Sequence, residues 1–208
     1  FSLGNPSIPA PPSVKQAILE LLEEPAENLH AYSPAPGDPK VRAVIAESLN
    51  RRFGETFTAD NIFMTCGAAA SLSICLKALC NPGDEVITFA PFFTEYRCWV
   101  EATGATLQVV PPRIPDFQID TDVFEGMITS KTKAVIVNTP NNPSGVVYSE
   151  ETVKRLGEIL RRKSEEYGSP IYLITDEPYR EIVYDDIQVP YLTKYYENTL
   201  VCYSYSKS

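Results

Sequence analysis

Apolar residues near the start of the chain recur at helical spacing. Val14, Ala17, Ile18, Leu21 and Leu22 stand at i, i+3, i+4, i+7 and i+8, which predicts an amphipathic helix with Ser13 placed to cap it. The Pro-rich residues 1–12 ahead of it read as extended. Residues 25–37, with Pro, Gly, Asn and Ser, read as a loop. A second helix is expected from about Pro39 to Arg52, with Val41, Val44, Ile45 and Leu49 on one face.

Beyond residue 60 the pattern alternates. Short apolar runs at Ile62–Thr65, Glu85–Phe89, Thr106–Val110, Ala134–Asn138, Ile171–Thr175 and Leu200–Tyr203 read as strands. Between them, helices are expected at Ala68–Leu79, Phe92–Thr103, Thr121–Thr129 and Glu150–Glu166, the last with Val153, Leu156, Ile159 and Leu160 turned inward. Asn81-Pro82-Gly83-Asp84 is a turn. Strands that alternate with helices imply an α/β fold with a mostly parallel sheet and helices on both faces. Ligands of such folds bind at the carboxyl ends of the strands, so candidate chemistry is sought there.

Composition narrows the field. A formal net charge of -9 gives no basic footprint for nucleic acid. No apolar run approaches the roughly 20 residues that span a bilayer, and Phe1–Pro12 lack the basic start of a signal peptide. The five cysteines Cys66, Cys75, Cys80, Cys98 and Cys202 form no C-x-x-C, which disfavours a zinc site. They are expected to be reduced core residues of a cytosolic protein. The single histidine, His30, leaves little room for His-based hydrolysis or a multi-histidine metal site. The chain opens at Phe1 rather than Met and stops at Ser208 just after an apolar run, so it is expected to be part of a longer protein.

Five segments at strand ends carry candidate chemistry. Gly67-Ala68-Ala69-Ala70 opens a helix whose free N–H groups and dipole favour an anion such as phosphate. Phe93, past a strand, offers a ring to stack on a planar ligand. Asn142, in the turn Asn138-Thr139-Pro140-Asn141-Asn142-Pro143-Ser144-Gly145, can donate to a ligand oxygen. Asp176, at the end of an apolar strand, is costly to bury without a cationic partner, and Tyr179 follows it. Lys207, after Ser204-Tyr205-Ser206, becomes a nucleophile if burial disfavours its charge. Each segment alone has an ordinary structural reading as core, turn, cap or surface.

Taken together, their order and spacing resemble the class I/II aminotransferases of the aspartate aminotransferase-like (fold type I) superfamily. The resemblance spans nearly the whole chain and is strongest at Asn141–Gly145, Asp176–Tyr179 and Ser204–Lys207. It implies pyridoxal phosphate as cofactor, with Lys207 forming the Schiff base and moving the substrate proton. Asp176 would pair with the pyridine nitrogen, and Tyr179 and Asn142 would hydrogen-bond the ring's phenolic oxygen. Phe93 would stack on the ring, and Ala68, Ala69 and Ser204 would hold the phosphate. Tyr32 is similar to the tyrosine that reaches a neighbouring subunit's phosphate, which implies a homodimer. Gly4 matches the segment that lies over the substrate. The implied substrates are an amino acid and a 2-oxo acid; nucleic acid, membrane and metal are not expected.

The resemblance also implies an N-terminal arm and helix over 1–35 and an incomplete cofactor-binding large domain over 36–208. Phe93 stands where many relatives have Trp or Tyr. The family's phosphate-binding and carboxylate-binding arginines lie beyond the lysine, so the small domain is expected to be largely missing from this sequence. A C–S lyase or decarboxylase on the same scaffold, or a non-catalytic binding module, stays open. A dinucleotide-binding domain is disfavoured, because no G-x-G-x-x-G follows any strand.

Overall fold

A computed structural model of the protein describes residues 8–207. The chain divides into two compact units, 1–64 and 65–208.

In the first unit, α1 spans Pro12–Leu22, α2 Ala26–Leu29 and α3 Pro39–Phe53, followed by a single helical turn at Ala59–Asn61. Ser13 does not cap α1. Pro11 occupies that place and Pro12 begins the helix, because proline's fixed φ and missing N–H suit a first turn. No residue of α1 is buried, and Val14, Ile18, Leu21 and Leu22 are exposed. The loop expected over 25–37 contains the single turn α2. Asp38 caps α3 by accepting from the N–H groups of Lys40 at 2.8 Å and Val41 at 3.0 Å.

The inward face of α3 differs from the periodicity. Val41 and Val44 are exposed, whereas Arg42 and Ala46 are buried. The Arg42 guanidinium donates to the carbonyls of Gly37 at 3.2 Å and Ala59 at 2.8 Å, and those acceptors draw its face inward. The strand expected at Ile62–Thr65 does not form. The Ile62 N–H is taken by the Ala59 carbonyl and that of Met64 by the Pro36 carbonyl, so the run pairs with no other strand.

The second unit runs α4 (Ala68–Leu79), β1 (Glu85–Phe89), α5 (Glu95–Glu101), β2 (Thr106–Val110), α6 (Thr121–Met127), β3 (Thr132–Asn138), α7 (Glu150–Tyr167), β4 (Tyr172–Asp176) and β5 (Thr199–Cys202), with a helical turn at Leu192–Lys194 before β5. The five strands are all parallel, in the order β2-β1-β3-β4-β5. This is the α/β sheet that the alternation predicts.

Alternate strand residues feed two cores. Ile87, Phe89, Val135, Val137 and Leu173 pack with Phe124 of α6 and with Val153, Leu156, Ile159 and Leu160 of α7. Val86, Ala134, Ile136 and Ile174 pack on the other face with Leu72 and Leu76 of α4 and with Tyr96 and Val100 of α5. A five-strand sheet buried on both sides is what makes its strands read as continuous apolar runs.

The helix expected at Phe92–Thr103 is shorter, because it starts only at Glu95. Phe93 stays outside it, with its carbonyl accepting from the Tyr96 N–H at 3.1 Å. All five cysteines are free. Cys80 and Cys202 are buried and Cys75 is half-buried, but Cys66 and Cys98 are exposed rather than in the core. Among the described residues no helix is long and apolar enough to cross a membrane.

The strand order fixes where a ligand can enter. The chain leaves β1 to form β2 on one side, then returns to place β3 on the other. The order thus switches direction between β1 and β3, and in such sheets a ligand is sought beyond the carboxyl ends of the strands.

Candidate active site

Asn138, Asp176 and Cys202 end β3, β4 and β5 side by side in register. Asp176 is only 6% exposed. Its Oδ2 accepts a 2.5 Å hydrogen bond from the Tyr96 hydroxyl, whereas its Oδ1 is buried with no hydrogen-bond partner. Burial pushes the Asp176 carboxyl up to about 6, and the bond from Tyr96 opposes the rise. Among the described residues no cationic side chain pairs with it. A buried carboxylate oxygen without a partner is expensive, so its presence points to a donor that a ligand would bring.

Asn138 ties this carboxylate to the neighbouring turn. Its Nδ2 donates to the backbone carbonyl of Asp176 at 2.8 Å, and its Oδ1 accepts from the Asn142 N–H at 2.6 Å. Asn141 closes the turn on itself: its Oδ1 accepts from the N–H and hydroxyl of Ser144, at 3.0 Å and 2.7 Å. The Asn141 Nδ2 donates to the Pro91 carbonyl at 3.3 Å, which links the turn to the segment carrying Phe93. Held in this way, the Asn142 side-chain amide donates to the Tyr179 phenol oxygen at 3.2 Å. Burial pushes the Tyr179 phenol up, so it stays protonated near neutrality.

Tyr179 is itself presented by a clamped turn. Glu177 is buried, and its Oε1 accepts from the Thr175 hydroxyl at 2.8 Å. Its Oε2 takes the Nε of Arg180 at 2.6 Å and the Nη2 at 2.5 Å. Arg180 then donates to the carbonyls of Val189 and Pro190, each at 3.0 Å, and lies over the Tyr191 ring. Asn142 and Tyr179 also line a groove of about 470 Å³ together with Ile182, Tyr184 and Ile187.

The start of α4 is a candidate anion seat. Gly67 precedes α4 with φ 88° and ψ 176°, a region open essentially to glycine alone, and no side chain caps the helix. The first-turn amides of Ala68 and Ala69 are thus left for a ligand. The Ser204 hydroxyl lies 3.9 Å from where a Cβ on Gly67 would be, so it borders the same seat. Phe93 is half-buried, with its ring 5.8 Å from Tyr96 and 6.0 Å from Trp99.

Lys207 follows Ser204 in the turn after β5 and is exposed, so the burial expected of it is not found. The bonded sets Asn142–Tyr179 and Tyr96–Asp176 do not extend to it. Tyr32 belongs to the first unit and is fully exposed. Gly4 lies outside the described residues. The sequence reading missed Tyr96 and Asn138. The available signals were a hydroxyl three residues after Phe93 and an amide closing an apolar strand.

Comparison with known proteins gives a consistent result. A family model described as aminotransferase class I and II matches residues 1–208. The chain is 34% identical over 187 residues to a probable aspartate/prephenate aminotransferase of Thermus aquaticus, across 89% of this chain and 46% of that protein. It is 34% identical over 169 residues to a probable kynurenine–oxoglutarate transaminase of Saccharomyces cerevisiae, across 76% of this chain and 37% of that protein. A solved amino transferase structure from Eubacterium rectale is 58% identical with a TM-score of 0.97, across 100% of this chain and 52% of that one. The chain thus spans less than half the length of these two curated relatives.

Proposed function

The chain belongs to the class I and II aminotransferase family, whose members depend on pyridoxal phosphate, and on that premise we propose that the whole protein transfers an amino group between an amino acid and a 2-oxo acid. The observation that carries this reading furthest is the unpartnered, buried Oδ1 of Asp176, which wants an N–H donor bearing positive charge. A protonated pyridine nitrogen is such a donor. When bound, the cofactor supplies a ring that accepts the electron pair left on the substrate carbon.

The chain's own residues supply the rest. Asp176 holds the proton at the ring nitrogen. Asn142 and Tyr179, already joined by a hydrogen bond, face the ring's phenolic oxygen together. The amides of Ala68 and Ala69 and the Ser204 hydroxyl bind the phosphate, and Phe93 covers one ring face. Lys207 provides the amine that anchors the cofactor and carries the proton to and from the substrate carbon. Gly4 belongs to the substrate side of the same reading.

A homodimer is part of the proposal. The fully exposed Tyr32 ring supports it as a contact to a partner's phosphate. A cytoplasmic setting is supported by five cysteines, none paired. The relatives act on different amino acids by their names, so substrate choice is left to experiment.

Borohydride reduction of the full-length protein, followed by peptide mapping, tests the assignment. The cofactor label is expected on Lys207; a label on another lysine, or none, overturns it. Assay of amino acids against 2-oxo acceptors then separates amino transfer from elimination.

A further inference from the structure

Tyr96 is fully buried, and its ring packs against Phe92, Phe93 and Trp99 with centroids 6.4, 5.8 and 6.0 Å away. A phenylalanine would fill the same space. The hydroxyl therefore needs its own explanation, because a buried O–H must find an acceptor or cost free energy. Its acceptor is Asp176 Oδ2. Burial and the adjacent carboxylate both push the Tyr96 phenol up, so it remains the proton donor in this pair. The other titratable groups that face the pair are Tyr179 beyond β4 and Cys202 on β5, and neither can bring a positive charge.

With Oδ2 occupied, Oδ1 is the single carboxylate oxygen left for a ligand donor. The donated hydrogen bond also favours the ionised carboxylate over the neutral acid. We infer that Tyr96 is a positioning residue for the cofactor: it fixes the Asp176 carboxylate with one oxygen free and keeps it charged, so that the ring nitrogen stays protonated. This inference rests on the reading that Asp176 faces that nitrogen. The local sequence serves it economically. Phe93 and Tyr96 are three residues apart, one ring for the cofactor's face and one phenol for its counter-ion.

The test uses full-length protein loaded with nitrogen-labelled pyridoxal phosphate. Magnetic resonance of the ring nitrogen is followed against pH, and cofactor dissociation is measured separately. In Tyr96→Phe the nitrogen is expected to lose its proton about one pH unit earlier, with about tenfold weaker cofactor binding. Fluorotyrosine placed at position 96 keeps the ring size and makes the hydroxyl a stronger donor. It is expected to shift the titration in the opposite direction, which a purely packing role would not do, and it decides the matter if Tyr96→Phe fails to fold. Asp176→Ala serves as the reference and is expected to abolish nitrogen protonation near neutrality. If Asp176→Ala changes the titration but both Tyr96 variants match wild type, the role of Tyr96 is overturned and the cofactor reading survives. If Asp176→Ala has no effect, or wild type binds no cofactor, the cofactor reading fails and this inference falls with it.

Discussion

The Asn142 side-chain amide donates to the Tyr179 phenol oxygen at 3.2 Å, joining two turns that leave neighbouring strands. Each residue therefore orients the other before any ligand arrives. Asn142→Ala and Tyr179→Phe are each expected to weaken cofactor binding. The double variant should lose less than the sum, with a coupling of about 1 kcal/mol, typical of one hydrogen bond. Cofactor dissociation constants for the four proteins check this; strict additivity would mean the two act independently.

Asp176 sets a pH dependence whose sign can be worked out. An unfolded aspartate titrates at about 3.9, whereas burial holds this one up at about 6. The folded state therefore binds more protons between those values. Stability from this group is fullest below about pH 4 and falls as pH rises through about 6, by roughly 3 kcal/mol in all. In cofactor-free full-length protein, Asp176→Asn should be more stable than wild type at about pH 8, with the difference fading toward about pH 4. Denaturant titrations at several pH values check it, and a difference that does not change with pH counts against the buried charge.

Arg180 and Glu177 form a buried ion pair that closes the turn presenting Tyr179. Removing one partner strands the other. Arg180→Ala should destabilise the protein by about 3–5 kcal/mol, as breaking such pairs does. Two backbone carbonyls, of Val189 and Pro190, lose their donors as well. A denaturant midpoint measures the loss; a change well under 1 kcal/mol would show that water replaces the guanidinium easily.

Much of the sheet was legible because its strands are buried on both faces. Glu85–Phe89 and Thr106–Val110 form strands at the expected residues, and α4 begins and ends where its pattern does. Ile62–Thr65 was misread because an apolar run states burial or exposure only once a partner is known, and its amides bond to the carbonyls of Ala59 and Pro36 rather than to a strand. The α3 face was misread for a related reason. Arg42 is buried through carbonyls that are not visible in a periodicity of apolar residues.

In the site, Asp176, Asn142 and Tyr179 stood out as polar groups at apolar strand ends. Tyr96 did not. It sits among aromatic residues where a tyrosine reads as core, and its partner lies 80 positions away. Asn138 was hidden in the same manner: its work is to hold two backbones, which no residue pattern records.

The in-register ends of β3, β4 and β5 have a consequence for how the protein can change. Successive strand residues face opposite sides, so Asp176 shares its side with Ile174 and looks toward α4 and α5. One residue inserted within β4 would reverse that phase and turn the carboxylate toward α6 and α7. Insertions after Arg180 leave the phase untouched. The chemistry is therefore indexed by strand parity, and length variation belongs to the loops.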